Sequence, residues 1–182
     1  MYKVSKIINN NGWKYKENDE IIVQVLKEER GTKGAALSTQ LSLAGRFLVL
    51  IPNSTKGGGV SRRISGEERD QVKDIIKNLP IPEGMSVIVR TAGLGRNQEE
   101  LQWDLDYLLS LWKQISGNLD ESECPSLIYK DDKLILRVFR DYFKEDIEEI
   151  LIDNKDVFEE ASMFAQSVIP DHATKVQFYN EE

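Results

Sequence analysis

Residues 85–112 read MSVIVRTAGLGRNQEELQWDLDYLLSLW, and the succession of strand, polar turn and helix within them decides how the flanking chain must fold. Met85 to Val89 is a short apolar, β-branched run, which predicts a buried strand that ends at Arg90-Thr91. Gly93 and Gly95 frame a tight turn, since glycine enters torsions that a side chain opposes. Asn97 can cap the next helix, with Glu100 three residues on at the acidic position of a capping box. Leu101, Leu105, Leu108, Leu109, Trp112 and Ile115 then recur at helical spacing. An arginine and a threonine at a strand end, beside the free amides of a helix start, suit a phosphate group. Strand-turn-helix is nevertheless a common arrangement, and most arginines so placed are solvated or paired with a nearby carboxylate.

Upstream, Arg46 to Ile51 (RFLVLI) predicts another strand, closed by Pro52, and NSTKGGG after it reads as a flexible loop. VSRRI predicts a short strand, where alternation sends Arg62 and Arg63 to opposite faces so that one of them joins any given site. A helix follows from Gly66 to Leu79 with Val72, Ile75, Ile76 and Leu79 as its apolar stripe, ended by Pro80 and Pro82. Residues 46–116 therefore read β, β, α, β, α, a small α+β unit. Before it, Glu20 to Leu26 and Ala35 to Leu43 predict two strands around the glycine-framed turn GTKG, resembling the last hairpin of a β-barrel. Residues 1–18 show no clear period.

Downstream, GNLDESECP at 117–125 is a linker by composition. Leu127–Tyr129 and Leu134–Phe139 read as strands around a turn at Asp131-Asp132, with a helix beginning near Asp141. Glu148–Asp153 reads as a strand, Asp156–Ser167 as a helix and Lys175–Tyr179 as a final strand, so a second α/β piece starts near residue 126.

The formal net charge is −7, which excludes a protein that coats nucleic acid indiscriminately. The charge is uneven: residues 1–98 carry 16 basic and 10 acidic residues, and residues 99–182 carry 8 and 21. No acid occurs from Gly31 through Gly66, a window holding Lys33, Arg46, Lys56, Arg62 and Arg63, nor from Gly84 to Gln98, which holds Arg90 and Arg96. Positive charge is thus local, as a specific anion site requires. The single cysteine, Cys124, excludes an internal disulfide framework and a cysteine-rich zinc site, and fits a reducing cytoplasm. His172 is the only histidine and reads as a surface residue, with no partner in sight for nucleophilic catalysis. No apolar run has the length of a membrane span.

Four strings, EERGTKGAALSTQLSLAGRFLVLIPN, GGVSRRISGEER, PIPEGMSVIVRTAGLGRNQEELQWDLDYLLSLW and LRVFRDYFKEDIEEILIDN, resemble in order the ribonuclease E/G family, bacterial endoribonucleases that initiate RNA decay and processing. The resemblance implies that residues 1–40 end an OB-fold RNA-binding domain, 41–125 form the 5′ sensor domain and 126–182 are part of an RNase H-like domain. The implied fold class is α+β, a sensor of mixed strands and helices flanked by an incomplete OB-fold barrel and a partial RNase H-like α/β domain. The implied ligand is single-stranded RNA carrying a 5′-monophosphate, held at the positions matching Gly45, Val49, Arg62, Arg90 and Thr91. Lys33 matches a lysine of the RNA channel. Arg90 would grip two phosphate oxygens, Thr91 donate a hydroxyl hydrogen bond and Arg62 add positive charge. Gly45 would permit close backbone approach, and Val49 would touch the terminal base. The family's magnesium-binding aspartates and zinc-linking cysteines match nothing in this sequence, so no cofactor is expected here, and the expectation is a fragment that binds RNA without cutting it. Its partners would be that RNA and the remaining nuclease domains or subunits, in the cytoplasm. A structural or assembly segment is the alternative, with Trp103 and Trp112 against another subunit in place of the domain's own core. An active nuclease would need a carboxylate cluster, and pairs such as Asp131-Asp132 and Glu148-Glu149 read as solvated turns and faces.

Overall fold

The computed structural model describes residues 1–4, 19–54, 59–61, 64–117, 124–131, 133–143 and 146–180, with the backbone alone for Tyr2–Val4. In chain order, β1 is Tyr2–Val4, β2 Ile21–Lys27, β3 Ala36–Ser38, β4 Leu43–Ala44, β5 Leu48–Ile51 and β6 Gly59–Val60. Helix α1 (Gly66–Asn78) leads to β7 (Ser86–Val89), a 3-10 turn at Thr91–Gly93 and α2 (Gln98–Gly117). The remainder is β8 (Ser126–Leu127), α3 (Leu134–Tyr142), β9 (Ile150–Ile152), α4 (Lys155–Val168), a second 3-10 turn (Pro170–Lys175) and β10 (Val176–Phe178).

The predicted strand at 85–89 becomes β7, inside a four-stranded sheet of order β4-β5-β7-β6. It runs antiparallel to β5, with Leu48 opposite Val89 and Ile51 opposite Ser86, and parallel to β6, with Val60 beside Val89. The parallel pair requires a crossover, which α1 supplies. Leu48, Leu50, Val87 and Val89 are fully buried, because α2 lays Leu101, Leu105 and Leu108 in the same core. Val72 of α1 and Ile115 at the end of α2 complete it, and Trp112 packs against its edge while Trp103 is half-buried.

The hairpin foreseen around GTKG forms between β2 and β3, with Arg30 and Lys33 exchanging backbone hydrogen bonds of 2.9 and 3.1 Å. The single strand expected over Ala35–Leu43 does not form; it divides into β3 and β4, which belong to different sheets. Among the described residues the N-terminal strands build no closed barrel. They lie in an open sheet of order β3-β2-β1-β8, whose last strand comes from the far side of α2.

The largest correction concerns Leu134–Phe139, which is helical and not a strand: α3 runs from Leu134 to Tyr142 and Asp141 lies near its end. The run LILRVF satisfies both periods over so short a length. The helical one wins because it puts Phe139 into a second core with Phe143, Ile152, Ala161, Phe164, Ala165, Val168, Ile169 and Val176. The strand expected at Leu127–Tyr129 is shifted to β8, Ser126–Leu127; those at Glu148–Asp153 and Lys175–Tyr179 form with trimmed ends as the parallel pair β9 and β10, and the helix expected over Asp156–Ser167 forms one residue longer at each end as α4. Tyr107 on α2 joins the cores, meeting the Phe164 ring edge-on with centroids 5.0 Å apart. None of the helices among the described residues is long and apolar enough to cross a membrane.

Candidate functional site

Arg90 leaves the end of β7, and its backbone N–H donates to the Phe47 carbonyl at 2.8 Å, extending the β5–β7 ladder by one bond. Its guanidinium Nη1 donates a short hydrogen bond to the Gly45 carbonyl, and Nη2 donates to the Asp141 carboxylate at 2.7 Å. Thr91 follows at the first position of the 3-10 turn and is exposed. The register of two strands therefore brings Gly45, Arg90 and Thr91 to one corner of the sheet. Val49 lies on β5 opposite Ile88 and is half-buried, on the face away from the fully buried Leu48 and Leu50.

The loop that presents Gly45 is held from behind by a residue that sequence reasoning missed. Asp104 of α2 is fully buried and accepts the backbone N–H groups of Arg46, Phe47 and Leu48 at 3.0, 2.8 and 2.8 Å. Burial pushes its carboxyl above the ordinary range, and the three amide bonds pull the other way. A Cβ at Gly45 would lie 2.5 Å from Asp104 Oδ2, so glycine is required there for space. The signal was present in the sequence: Asp104 stands in the apolar stripe of α2, three residues after Leu101 and four before Leu108, where an unpaired acid has no reason to be.

The turn after Arg90 differs in detail from expectation. Gly95 adopts φ +71° as a tight turn requires, whereas Gly93 serves close packing, since a Cβ there would meet Val89 Cγ1 at 2.8 Å. The capping box forms: Glu100 N–H donates to Asn97 Oδ1 and Asn97 N–H donates to Glu100 Oε2, both at 2.9 Å. Two of the amides expected at the helix start are thus already satisfied within the chain. Arg96 turns back to Glu100 at 3.1 Å and lies over the Phe47 ring.

The basic windows separate into different fates. Arg46 is buried, and its guanidinium donates to the carbonyls of Phe139 (2.9 Å) and Phe143 (3.1 Å) at the C-terminal end of α3. It lies 5.0 Å from the Phe47 ring centre and 4.6 Å from that of Phe143. A cation at a helix C-terminus complements the helix dipole, so Arg46 serves docking and not an external anion. Lys33 is exposed in the β2–β3 turn, on a different sheet from Arg90. Arg62, Arg63 and Lys56 lie outside the described residues; Ser61, which precedes Arg62, donates its N–H to the Val89 carbonyl at 3.0 Å. His172 is half-buried with its ring 5.6 Å from that of Phe143.

The carboxylate paired with Arg90 comes from the end of α3, two residues past the run Leu134–Phe139 that reads as a strand. Asp141 is shared between Arg90 and Arg140, whose Nη2 lies 3.4 Å from Asp141 Oδ2, and Arg140 Nη1 also meets Asp131 at 2.9 Å. Burial raises the Asp141 carboxyl, but the hydrogen bonds and charges of Arg90 and Arg140 outweigh it and hold it below the ordinary value. A cleft of about 530 Å³ opens beside this corner, bordered by Gly45, Arg140, Arg137, Lys27, Tyr107 and Asp131. Among the described residues no three His, Cys, Asp or Glu side chains group as a metal site would need.

On this α+β scaffold a strand-end arginine and threonine stand beside a glycine loop, with the arginine bonded to the Gly45 carbonyl and to Asp141. The family model described as the ribonuclease E/G family matches residues 42–182, and the chain belongs to that family. It is 49% identical over 166 residues to a ribonuclease E of Haemophilus influenzae, covering 91% of this chain and 18% of the relative. Ribonuclease E of Escherichia coli is 48% identical over 168 residues, 92% of this chain and 16% of its own length. A chloroplastic ribonuclease E/G-like protein of Arabidopsis thaliana is 35% identical over 192 residues, 98% and 19% respectively. The chain thus spans less than a fifth of the length of each of these relatives.

Proposed function

We propose that this chain recognises the 5′-monophosphate of single-stranded RNA, with Arg90 and Thr91 as phosphate ligands, Gly45 as the backbone approach, Val49 against the terminal base and Arg62 as a further positive charge. The observation that carries the reading is the convergence of Gly45, Arg90 and Thr91 on one solvent-reachable corner, where one arm of the guanidinium already bonds a carboxylate oxygen. A guanidinium N–H that holds a carboxylate oxygen can hold a phosphate oxygen in its place. Ribonuclease is what the relatives' names carry; for this chain the proposal is recognition, as part of a cytoplasmic endoribonuclease machinery of RNA decay and rRNA or tRNA processing, without cleavage by the chain itself. Within the same proposal, residues 1–40 are the end of an OB-fold unit with Lys33 on the RNA path, 41–125 the 5′ sensor and 126–182 a part of an RNase H-like unit.

The test is a fluorescence titration of two otherwise identical RNA oligonucleotides, one ending in a 5′-monophosphate and one in a 5′-hydroxyl. The monophosphate should bind more tightly by about 1.5–3 kcal/mol, the range of hydrogen bonds to charged groups. Arg90→Ala should remove that difference, and Arg96→Ala should weaken both ligands alike. Equal affinity for the two ends would sink the proposal, and magnesium-dependent cleavage by the purified chain would overturn its recognition-only form.

A second reading, a segment for assembly with no binding activity of its own, is favoured by one observation. Leu134, Val138 and Tyr142 recur every four residues along α3 and are 73%, 38% and 73% exposed, an apolar stripe facing outward. Concentration-dependent sedimentation of the chain together with loss of the 5′-end preference would support it over recognition.

A further inference from the structure

We propose that Asp141 is an internal counter-anion in a two-arginine site, and that Arg140 becomes a second phosphate ligand beside Arg90 once Asp141 is displaced. The inference rests on the reading of this corner as an anion site for RNA 5′ ends and adds a ligand and a competitor to it. Both arginines reach the carboxylate: Oδ1 accepts from Arg90 Nη2 at 2.7 Å, while Arg140 approaches both oxygens through Nε, 3.4 Å from each, and Oδ2 again through Nη2 at 3.4 Å. Arg90 is brought by β7 and Arg140 by α3, so two elements far apart in sequence deliver guanidinium groups to one anion. Each group is otherwise anchored by the chain, Arg90 on the Gly45 carbonyl and Arg140 on Asp131 at 2.9 Å. Both therefore have reason to stay in place when Asp141 leaves.

Displacement is open to the geometry. The Asp141 side chain is 34% exposed and that of Arg90 29%, and ion pairs so accessible to water are weak. An acid in the last turn of a helix is opposed by the helix dipole, so the backbone of α3 does not favour the charge of Asp141. A terminal phosphate carries nearly twice the charge of a carboxylate and three acceptor oxygens, enough to take one bond from each arginine. The cleft bordered by Gly45 and Arg140 supplies space on that side for the following nucleotides. The same carboxylate, left in place, repels ligands of excess negative charge and so sets a threshold for entry.

The test uses the 182-residue chain and four proteins: wild type, Asp141→Asn, Asp141→Glu and the Asp141→Asn, Arg140→Gln double variant. Probes are the 5′-monophosphate RNA, its 5′-hydroxyl twin and inorganic phosphate as competitor, with thermal melting to verify that each protein is folded. Asp141→Asn should bind the monophosphate about fivefold more tightly, the upper reach of an exposed ion pair, and the hydroxyl twin unchanged. Asp141→Glu, which keeps the charge, should stay near wild type, and Arg140→Gln in the Asn background should cancel the gain. If folded Asp141→Asn binds the monophosphate no better or worse than wild type, the counter-anion role is overturned, while a wild-type preference for the monophosphate would leave the 5′-end reading intact. If no protein tells the two RNAs apart but inorganic phosphate binds Asp141→Asn more tightly through Arg140, the two-arginine site stands and the RNA-end reading falls. Absence of binding by every probe to every folded variant overturns both.

Discussion

Gly45 and Asp104 show how narrowly single residues define the site. Asp104 is immobilised by three backbone N–H donors, so it cannot retreat from a Cβ placed 2.5 Å from its oxygen. Gly45→Ala should therefore destabilise the fold by about 1–3 kcal/mol, the range of overpacking a rigid site, as read by urea unfolding. Asp104→Asn keeps the shape but turns an amide NH₂ toward backbone donors. It should cost about 1–3 kcal/mol, the penalty of an unsatisfied buried donor. Unchanged stability in either variant would contradict the clamp. Asp141 adds a pH dependence. Its folded carboxyl is held below the unfolded value of 3.8, so the stability it contributes is complete above that value and is lost as pH falls through the lower, folded one. An acid titration of wild type and Asp141→Asn should show the two curves converging only below pH 3.8. Arg90 reads from the sequence as a candidate phosphate ligand, and Gly45 enters as a candidate through the family resemblance. Asp104 and Asp141 are not, since an acid on an apolar stripe and an acid in a helix end name no partner until the chain is folded.

At the scale of elements, β7, the turn and α2 follow the local sequence closely, because each is specified by contacts within a few residues. The capping box is one such contact. Asn97→Ala removes the acceptor for Glu100 N–H and should cost about 1 kcal/mol in chemical denaturation, while Gln98→Ala, which touches no cap, should cost far less. Helix α3 obeys a different rule. Its apolar run fits strand or helix equally, and what selects the helix is the second core around Phe139 together with Arg46, which seats on the carbonyls of Phe139 and Phe143. Arg46→Ala should leave those carbonyls without their charged donor and vacate the space between the Phe47 and Phe143 rings. The expected loss is about 2–4 kcal/mol, concentrated in α3 and detectable as faster amide exchange there than in α2.

For the whole molecule, the two cores meet through Tyr107 and Phe164 and through Arg46, and β8 joins the N-terminal sheet. Tryptophan fluorescence and far-ultraviolet dichroism should accordingly report one coincident urea transition in wild type and separate transitions in Arg46→Ala. The proposed RNA binding should fall with salt only gently. With a net charge of −7 attraction rests on the Arg90 corner, so log affinity against log salt should slope about −0.7 to −1.4, as for one or two phosphate contacts on a single strand. A steep slope would mean a broad basic surface that the charge distribution does not support. Read alone, the sequence determined the α+β class and the strand-turn-helix at 85–112, because periodicity, caps and turn residues act over short distances, and its resemblance to known sequences determined the family. The tertiary structure alone decided that α3 is a helix, that Arg46 is a docking residue and not an anion ligand, and that Asp141 takes one arm of the Arg90 guanidinium. Each of those outcomes depends on a partner about 50 to 100 residues away in the chain. No local pattern encodes such a pairing; it exists only where two cores close on each other.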